Sequence, residues 1–421
     1  MRIIMFSWEY PPKSVGGLAQ HVFHLSRALV RRGMEVHVIT AGGPELPVRE
    51  DVAGVNVHRV PPYSLTAPDF RTWILHLNLA MQEYAAGMIN SQGKIDLVHA
   101  HDWLVAFAAR GIKYIYRVPL VATIHATEYG RNHGLHNDNQ RYISDVEWWL
   151  TFEAWRVIVC SEYMEQELRN FFQLPQDKLR VVPNGVDLAD FDERPVDWGR
   201  KNQRRMIFFV GRLVREKGVQ LLLEAMPKIL SYYPDAKAVI AGKGPYEDYL
   251  RNRARELGVG HRVHFAGYID DATRNQLYRE ASVAVFPSLY EPFGIVALEG
   301  MAARTPVVVA DTGGLREIVN HGIDGLKCYT GSANSLADNI MTVFGDPDLA
   351  RRMMENGYKK VRDEYSWDSI ARQTSDVYWE VLDESRGAGW RPDYLTNSRI
   401  GALYDRIRNY GRYNVFGQRA H

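Results

Sequence analysis

The sequence predicts an α/β protein built on two parallel sheets, each wrapped by helices, with a cleft between them. Three observations carry that expectation. Short runs with apolar residues on both faces alternate with amphipathic helical stretches, the alternation restarts after a polar segment, and glycine-rich turns fall where strands feed helices. Residues 3–6 are an apolar run ending in a proline-broken loop, after which Leu18, Val22, Leu25 and Leu29 recur at helical spacing. Residues 35–39 read as the next strand, and right-handed crossover makes it parallel to the first. Further strands are expected at residues 55–60, 97–100, 120–124, 157–160 and 179–182. The polar stretch FDERPVDWGRKNQRR, residues 191–205, lacks a period and reads as a linker. Beyond it, strands are expected at 206–210, 237–240, 263–265, 283–286 and 306–309, with helices at 217–230 and 246–257. Helical patterns at 366–383 and 394–408 close the chain, and one of them is expected to return to the first domain. The domain expectation is therefore residues 1–195, residues 196–365, and C-terminal helices over 366–421.

The chain has 421 residues, which at ~150 residues per domain fits two or three domains. Lys and Arg number 51 against 50 Asp and Glu, so the net charge of +1 gives no whole-molecule attraction to polyanions, and no nucleic-acid partner is expected. A composition 46% hydrophobic and 24% charged is that of a globular chain rather than a disordered one. Cys160 and Cys328 stand alone, without partners at ligand spacing. Neither a disulfide framework nor a structural zinc site is indicated, and a reducing, cytoplasmic location is expected. The start MRIIMFSWEYPP lacks a signal peptide's apolar segment, and no run approaches the ~18 apolar residues of a membrane span.

Candidate chemistry sits at strand ends. Gly16 and Gly17 open the first helix, where bare backbone N–H groups suit a phosphate and Lys13 adds a cation; the same glycines also suit a tight turn. GRLVREKG, residues 211–218, offers Arg212 as a rigid donor fork and Lys217 as a mobile charge for two neighbouring phosphates, although such cations also serve as solvated helix-start charges. HAHDW at 99–103 and TIHATEYG at 123–130 place His101 and His125 near strand ends. On the acceptor side, Asp102 suits a sugar hydroxyl and Trp103 a sugar face; alternatively Asp102 caps the next helix and Trp103 fills the core. The imidazoles lack a third and fourth ligand in sequence, so no metal is expected.

EPFGIVALE, residues 291–299, carries Glu291 and Glu299. A glycosidase pair needs carboxyls about 5 to 9 Å apart, whereas eight helical positions advance about 12 Å, so the two are expected to address different parts of a long ligand. In DTGGLREIV, residues 311–319, Gly313 and Gly314 are expected to donate backbone hydrogen bonds while Leu315 shields the ligand from water.

In order, the GGL loop, HAHDW, HATEYGR, PNGVD, GRLVREKG, EPFGIVALE and TGGLREIV cover nearly the whole chain. This set resembles the large retaining glycosyltransferase family 4 that includes bacterial glycogen synthases, sucrose-phosphate synthases and phosphatidylinositol mannosyltransferases. The resemblance implies the GT-B fold, two Rossmann-like domains facing across a deep cleft. It implies that Arg212 and Lys217 bind the donor diphosphate with Gly17 opposite, that Glu291 lies at the donor sugar and Glu299 at the ribose, and that His125 lies beside the transferred sugar with Asp102 on the acceptor side.

The implied reaction is same-face transfer in which the departing phosphate takes the incoming hydroxyl's proton, with no cofactor and no metal required. SWEYPP, HAHDW and HATEYGR most resemble glycogen-synthase-like members, so the leading expectation is glucose transfer from ADP-glucose or UDP-glucose to an α-1,4-glucan. KSVGGL departs from their KTGGL and EPFG from their EPCG. The alternative is a lipid, exopolysaccharide or small sugar acceptor with a UDP- or GDP-sugar, the basic and aromatic residues 113–117 giving a peripheral membrane contact. The sequence does not define an oligomeric state.

Overall fold

The computed structural model describes residues 1–13, 17–43, 45–191 and 196–387. Strands β1 (Arg2–Phe6), β2 (Glu35–Ala41), β3 (Arg49–Val52), β4 (Val55–Val60), β5 (Leu97–His101), β6 (Leu120–Ile124), β7 (Arg156–Val159) and β8 (Leu179–Val181) form an eight-stranded sheet in the order β3-β4-β2-β1-β5-β6-β7-β8. Its helices are α1 (Gly17–Arg31), α2 (Phe70–Gln92), α3 (Ala106–Tyr116), α4 (Glu128–Asn132), α5 (Asp138–Glu153) and α6 (Glu162–Phe172). After α7 (Trp198–Gln203), strands β9 (Met206–Val210), β10 (Lys237–Ala241), β11 (Val263–Gly267), β12 (Val283–Phe286), β13 (Val307–Ala310) and β14 (Leu326–Cys328) form a second sheet in the order β11-β10-β9-β12-β13-β14. It is flanked by α8 (Val219–Tyr232), α9 (Glu247–Glu256), α10 (Asp271–Glu280), α11 (Ile295–Ala302), α12 (Gly313–Ile318), α13 (Ala333–Gly345) and α14 (Pro347–Glu364), and α15 (Trp367–Gly387) follows. Two α/β domains thus flank a cleft, as the strand and helix alternation predicts.

The second sheet is parallel throughout, whereas the first carries one antiparallel edge pair, β3 with β4. REDV in β3 is exposed and polar, so hydropathy gave no sign of it. The pair turns through Ala53 and Gly54, both at positive φ, the backbone hand that matches the twist of a tight hairpin.

Period-two alternation explains how β1 is covered on both sides. Ile3 and Met5 pack with Leu25 and Leu29 of α1 and with Ile370, Val377 and Val381 of α15, while Ile4 and Phe6 face the other layer. The second terminal helical pattern, 394–408, lies outside the described residues. The first is α15, and it does return to the N-terminal domain: Arg31 pairs with Asp368 at 2.8 Å, and Glu380 receives Arg156 at 3.1 Å and also Arg180. Deeper in, the Tyr378 hydroxyl lies 2.6 Å from Nδ1 of buried His99, whose Nε2 lies 2.7 Å from Thr123 Oγ1.

Two sequence expectations need correction. The stretch 191–205 is no bare linker, because α7 forms within it and docks on the second domain. Trp198 is buried, and the Lys201 ammonium donates to the Arg304 carbonyl at 3.0 Å and Thr305 Oγ1 at 2.8 Å. Nor do residues 113–117 present a basic face to a bilayer: Lys113 is buried and bonds Glu153 Oε2 at 2.8 Å, and Tyr114 donates to the same oxygen. No described helix is long and apolar enough to cross a membrane.

Tyr378→Phe removes the hydroxyl that partners His99 in a dry layer. Because a buried polar group left unmatched costs about 1–3 kcal/mol, the urea midpoint should fall by that equivalent with an unchanged m-value. Equilibrium unfolding of the variant against the parent chain checks this, and an unchanged midpoint would show that the contact carries no stability.

Candidate active site

Parallel strands deliver their loops to one edge of each sheet, and the two edges face each other across a cleft of about 590 Å³. Trp8 and Glu9 follow β1, Gly17 opens α1, Asp102 to Leu104 follow β5, His125 follows β6 and Asn184 follows β8. From the second domain come Gly211, Arg212, Glu216 and Lys217 after β9 and Tyr290 to Val296 after β12.

On the second-domain wall Lys217 and Glu291 form a close ion pair. The ammonium lies 2.8 and 2.7 Å from the two carboxylate oxygens, and Ser288 Oγ donates to Oε2 at 3.0 Å. Lys217 belongs to a 3-10 turn, Arg215–Lys217, ended by Gly218 at φ 71. A Cβ on Gly218 would lie 1.9 Å from the Pro287 carbonyl oxygen, so only glycine lets this turn nest against the strand-end loop that carries Glu291. Arg212 is half exposed and lies 3.7 Å from Glu216. Across the cleft, Gly17 starts α1, so the helix N-terminus points at the same space; Gly16 lies outside the described residues.

On the first-domain wall, Asp102 adopts φ 62, a conformation costly for a residue with a Cβ. It is fixed from both ends: its N–H donates to the Thr123 carbonyl at 3.0 Å and its carboxylate accepts the His125 N–H at 2.8 Å. No helix cap is made by its side chain. Burial pushes the Asp102 carboxyl up to about 6, against the opposing pull of Arg131 and the His125 N–H. Burial, then the Arg131 charge, pushes the His125 imidazole down to about 3, so it is neutral at physiological pH. Glu147 is buried behind them and accepts the Glu128 N–H with both oxygens at 3.0 and 3.1 Å, and burial raises its carboxyl well above the usual range.

Several expectations change in detail. His101 is fully buried beneath the cleft floor, 3.3 Å from His125 Nε2, and does not line the cleft. Trp103 does both things expected of it in turn, lining the cleft while packing into the core. Gly314 does not offer its N–H to a ligand, because that group donates to the Glu291 carbonyl at 2.9 Å. A Cβ on Gly313 would meet the same oxygen at 2.0 Å, and Leu315 is fully buried against Gly294 rather than shielding the cleft. These residues hold the Glu291 loop in place. The helical distance argument for the two glutamates also fails, since α11 begins only at Ile295. They are separated instead by their partners: Glu291 lines the cleft, whereas Glu299 is not a cleft-lining residue and lies 3.1 Å from the Tyr278 hydroxyl and 3.5 Å from Arg274. Lys13 sits over the rings of Trp8 and Trp73, at 5.7 and 5.4 Å from their centroids, and is not a cleft-lining residue.

Sequence reasoning missed His21, which brings a third imidazole to His101 and His125. Ligand atoms of the three lie within 4.8 Å of one another, a grouping that could hold a metal ion, so the absence of a third ligand does not stand. His21 Nδ1 is 2.6 Å from Asn184 Oδ1. The available signal was helical spacing: His21 falls on the face marked by Leu18, Val22 and Leu25. Arg131 and Asn184 lay within HATEYGR and PNGVD, but nothing in sequence assigned either to the cleft.

Two α/β domains whose loop edges enclose a glycine-lined cleft, with Arg212 and Lys217 on one wall and Arg131 on the other, define a GT-B nucleotide-sugar glycosyltransferase. Residues 15–190 match the family described as Glycosyltransferase Family 4, and residues 190–360 match Glycosyl transferases group 1. The chain belongs to this glycosyltransferase family. It is 43% identical to an uncharacterized glycosyltransferase of Methanocaldococcus jannaschii, over 90% of this chain and 98% of that one. It is 36% identical to a glycogen synthase of Mycobacterium tuberculosis, over 90% of this chain and 94% of that one. Among solved structures, a sucrose-phosphate synthase from Thermosynechococcus elongatus superposes with a TM-score of 0.79 at 27% identity, covering 91% of this chain and 99% of that one.

Asp102→Asn tests the electrostatics of the wall. The carboxyl titrates higher folded than unfolded, so its charge penalty is full above pH ~6 and disappears as pH falls below its unfolded value of ~4. The amide still accepts the His125 N–H. The variant should therefore be more stable by on the order of 3 kcal/mol at pH 7.5, with the gain vanishing below pH ~4. Thermal melts across pH check this; a gain independent of pH would contradict it.

Proposed function

We propose that the chain transfers a hexosyl group, with retention of anomeric configuration, from a UDP- or GDP-sugar to a hydroxyl of a small sugar or saccharide-bearing acceptor. The observation that carries this reading is the convergence of Lys217, Glu291, Arg212 and the N-terminus of α11 on one wall of a cleft whose other wall holds the N-terminus of α1, His125 and Asp102. Cations and helix N-termini suit a diphosphate, and backbone N–H groups there need no reorganisation as leaving-group charge develops.

In this reading the acceptor hydroxyl attacks the anomeric carbon on the face from which the diphosphate leaves. The carbon–phosphate oxygen bond breaks, and the hydroxyl proton passes to the departing phosphate oxygen. Arg212 and Lys217 stabilise the phosphate charge, His125 positions the transferred sugar as a neutral imidazole, and Glu299 addresses the ribose. Glu291 acts as a positioning group. Both its oxygens are bound by Lys217, and Ser288 adds a third hydrogen bond, which blunts a nucleophile and instead orients the ammonium toward the sugar phosphate. No step requires a divalent cation.

The breadth of the relatives favours this wider acceptor range over dedicated glucan synthesis, since chains alike over nearly their whole length include a glycogen synthase at 36% identity and a sucrose-phosphate synthase at 27%. Elongation of an α-1,4-glucan from ADP-glucose or UDP-glucose is the second reading, favoured by the 36% identity to glycogen synthase over nearly the whole chain.

A screen of UDP-glucose, ADP-glucose and GDP-mannose against sugar phosphates, maltooligosaccharides and extracted lipid, with linkage analysis of the products, tests the assignment. Retained configuration on a sugar acceptor is expected; an inverted product would overturn it. Arg212→Ala should weaken donor binding about 10- to 150-fold, the range of a charge-assisted hydrogen bond, by calorimetry. Glu291→Gln should keep measurable donor affinity and lose transfer. A kinetically competent sugar adduct on Glu291, seen by intact-protein mass measurement, would make it a nucleophile and refute the same-face route.

A further inference from the structure

We propose that the outer wall of the cleft on the first domain is a stacking platform for pyranose rings of an oligosaccharide acceptor, formed by Trp8 and Phe70, with Trp73 stacked behind Phe70. This rests on the hexosyltransferase reading above and narrows its acceptor to a chain of uncharged sugars. Trp8 and Phe70 line the same cleft as Asp102 and Trp103, so the platform is continuous with the place where an acceptor's end would enter.

The rings are held in a fixed relation. Trp8 and Phe70 meet edge to face at 6.3 Å and 81°, and Phe70 and Trp73 lie nearly parallel, 11° apart with centroids at 5.9 Å. Lys13 bridges the outer pair from its position over both indoles. Phe70 is the first residue of α2, whose N-terminus is fixed by Asp69 accepting the Thr72 N–H at 2.8 Å, and Phe70 as a residue is 52% exposed. A large aromatic left open at the mouth of a site, with its neighbours already immobilised, loses little further entropy on binding. Pyranose rings present a face of C–H groups that fits the electron-rich face of an aromatic ring.

The charge around the platform argues for neutral sugar over an anionic bilayer. With Lys13 counted, the charged residues around the platform from Val60 to Gln92 and over its indoles are Lys13, Asp69, Arg71 and Glu83, so the two signs balance. Arg71 is itself near Asp69, at 3.6 Å, and over the Tyr142 ring. Headgroup attraction depends on clusters of several lysines and arginines, whereas this surface carries only Lys13 and Arg71, the latter paired with Asp69.

The test uses the full chain with Phe70→Ala, Trp73→Ala, the double variant and Phe70→Trp. Calorimetric affinity for maltoheptaose and for maltose is measured, together with the ratio of kcat/KM on the two acceptors. The platform predicts that maltoheptaose affinity falls about tenfold in each alanine variant and further in the double, that the ratio falls with it, and that Phe70→Trp restores both. Maltoheptaose binding unchanged in the double variant, or absent in the parent chain, overturns the platform. Binding that depends on Phe70 without any transfer to maltoheptaose leaves the platform standing and refutes glucan elongation. Sedimentation with phosphatidylserine vesicles that is lost in Phe70→Ala, with no maltoheptaose binding, assigns the surface to a membrane and overturns the proposal.

Discussion

A parallel strand cannot be followed by its neighbour through a tight turn; the chain must cross back over the sheet, usually as a helix, before the next strand begins. Every strand-to-helix loop therefore emerges at the same edge, and crossover helices start there with their N–H groups leading. All else in this chain follows from applying that constraint twice. The loops after β1, β5, β6 and β8 form one wall, those after β9 and β12 form the other, and the N-termini of α1 and α11 supply positive potential between them.

Within that frame, glycines decide how closely the second domain's loops approach. Gly218 nests under Pro287, Gly313 under the Glu291 carbonyl and Gly294 against Leu315, with contacts too close for any Cβ. The result is a three-loop corner in which Glu291 reaches Lys217 without spanning open water. A largely buried ion pair contributes little net stability after its desolvation, so its worth lies in fixing where the ammonium stands. Across the domain boundary the contacts are made by backbone and carboxylate. The Pro292 carbonyl accepts Ser161 Oγ at 2.6 Å, and Glu317 accepts the N–H groups of Glu162 and Tyr163 at 2.9 and 2.7 Å at the start of α6. The same loop that carries Glu291 thus touches the first domain.

Beneath the first-domain wall lies a layer of histidines held neutral. Burial lowers His21, His99 and His101 well below the ordinary imidazole range, with neighbouring imidazoles adding to the effect. Such groups favour the folded state above the unfolded value of ~6.5 and oppose it as pH falls below that, the reverse of the Asp102 contribution. α15 closes this layer through Tyr378, which ties the last described helix to the floor of the site.

Hydropathy alone located most strands and both sheets, because a buried parallel strand is apolar on both faces and its loop is marked by glycine. It missed β3, an exposed polar edge, and β14, a strand of only three residues, and it took α7 for linker because docking by one tryptophan and one lysine leaves no period. For the site, residue type and position pointed to Arg212, Lys217, His125, Asp102 and Glu291, and the structure places each of them on the cleft. The direction in which each backbone group points was beyond the sequence. Gly314 reads the same whether its N–H meets a phosphate or the Glu291 carbonyl, and His101 the same whether it faces the cleft or lies under it. His21 and Asn184, 163 positions apart, share a hydrogen bond only because α1 and the loop after β8 are brought together by sheet order. Sequence determined which chemistry the chain carries at its strand ends. Tertiary packing decided which of those groups face the cleft, because only the crossing of loops from distant strands settles which polar atoms are already satisfied.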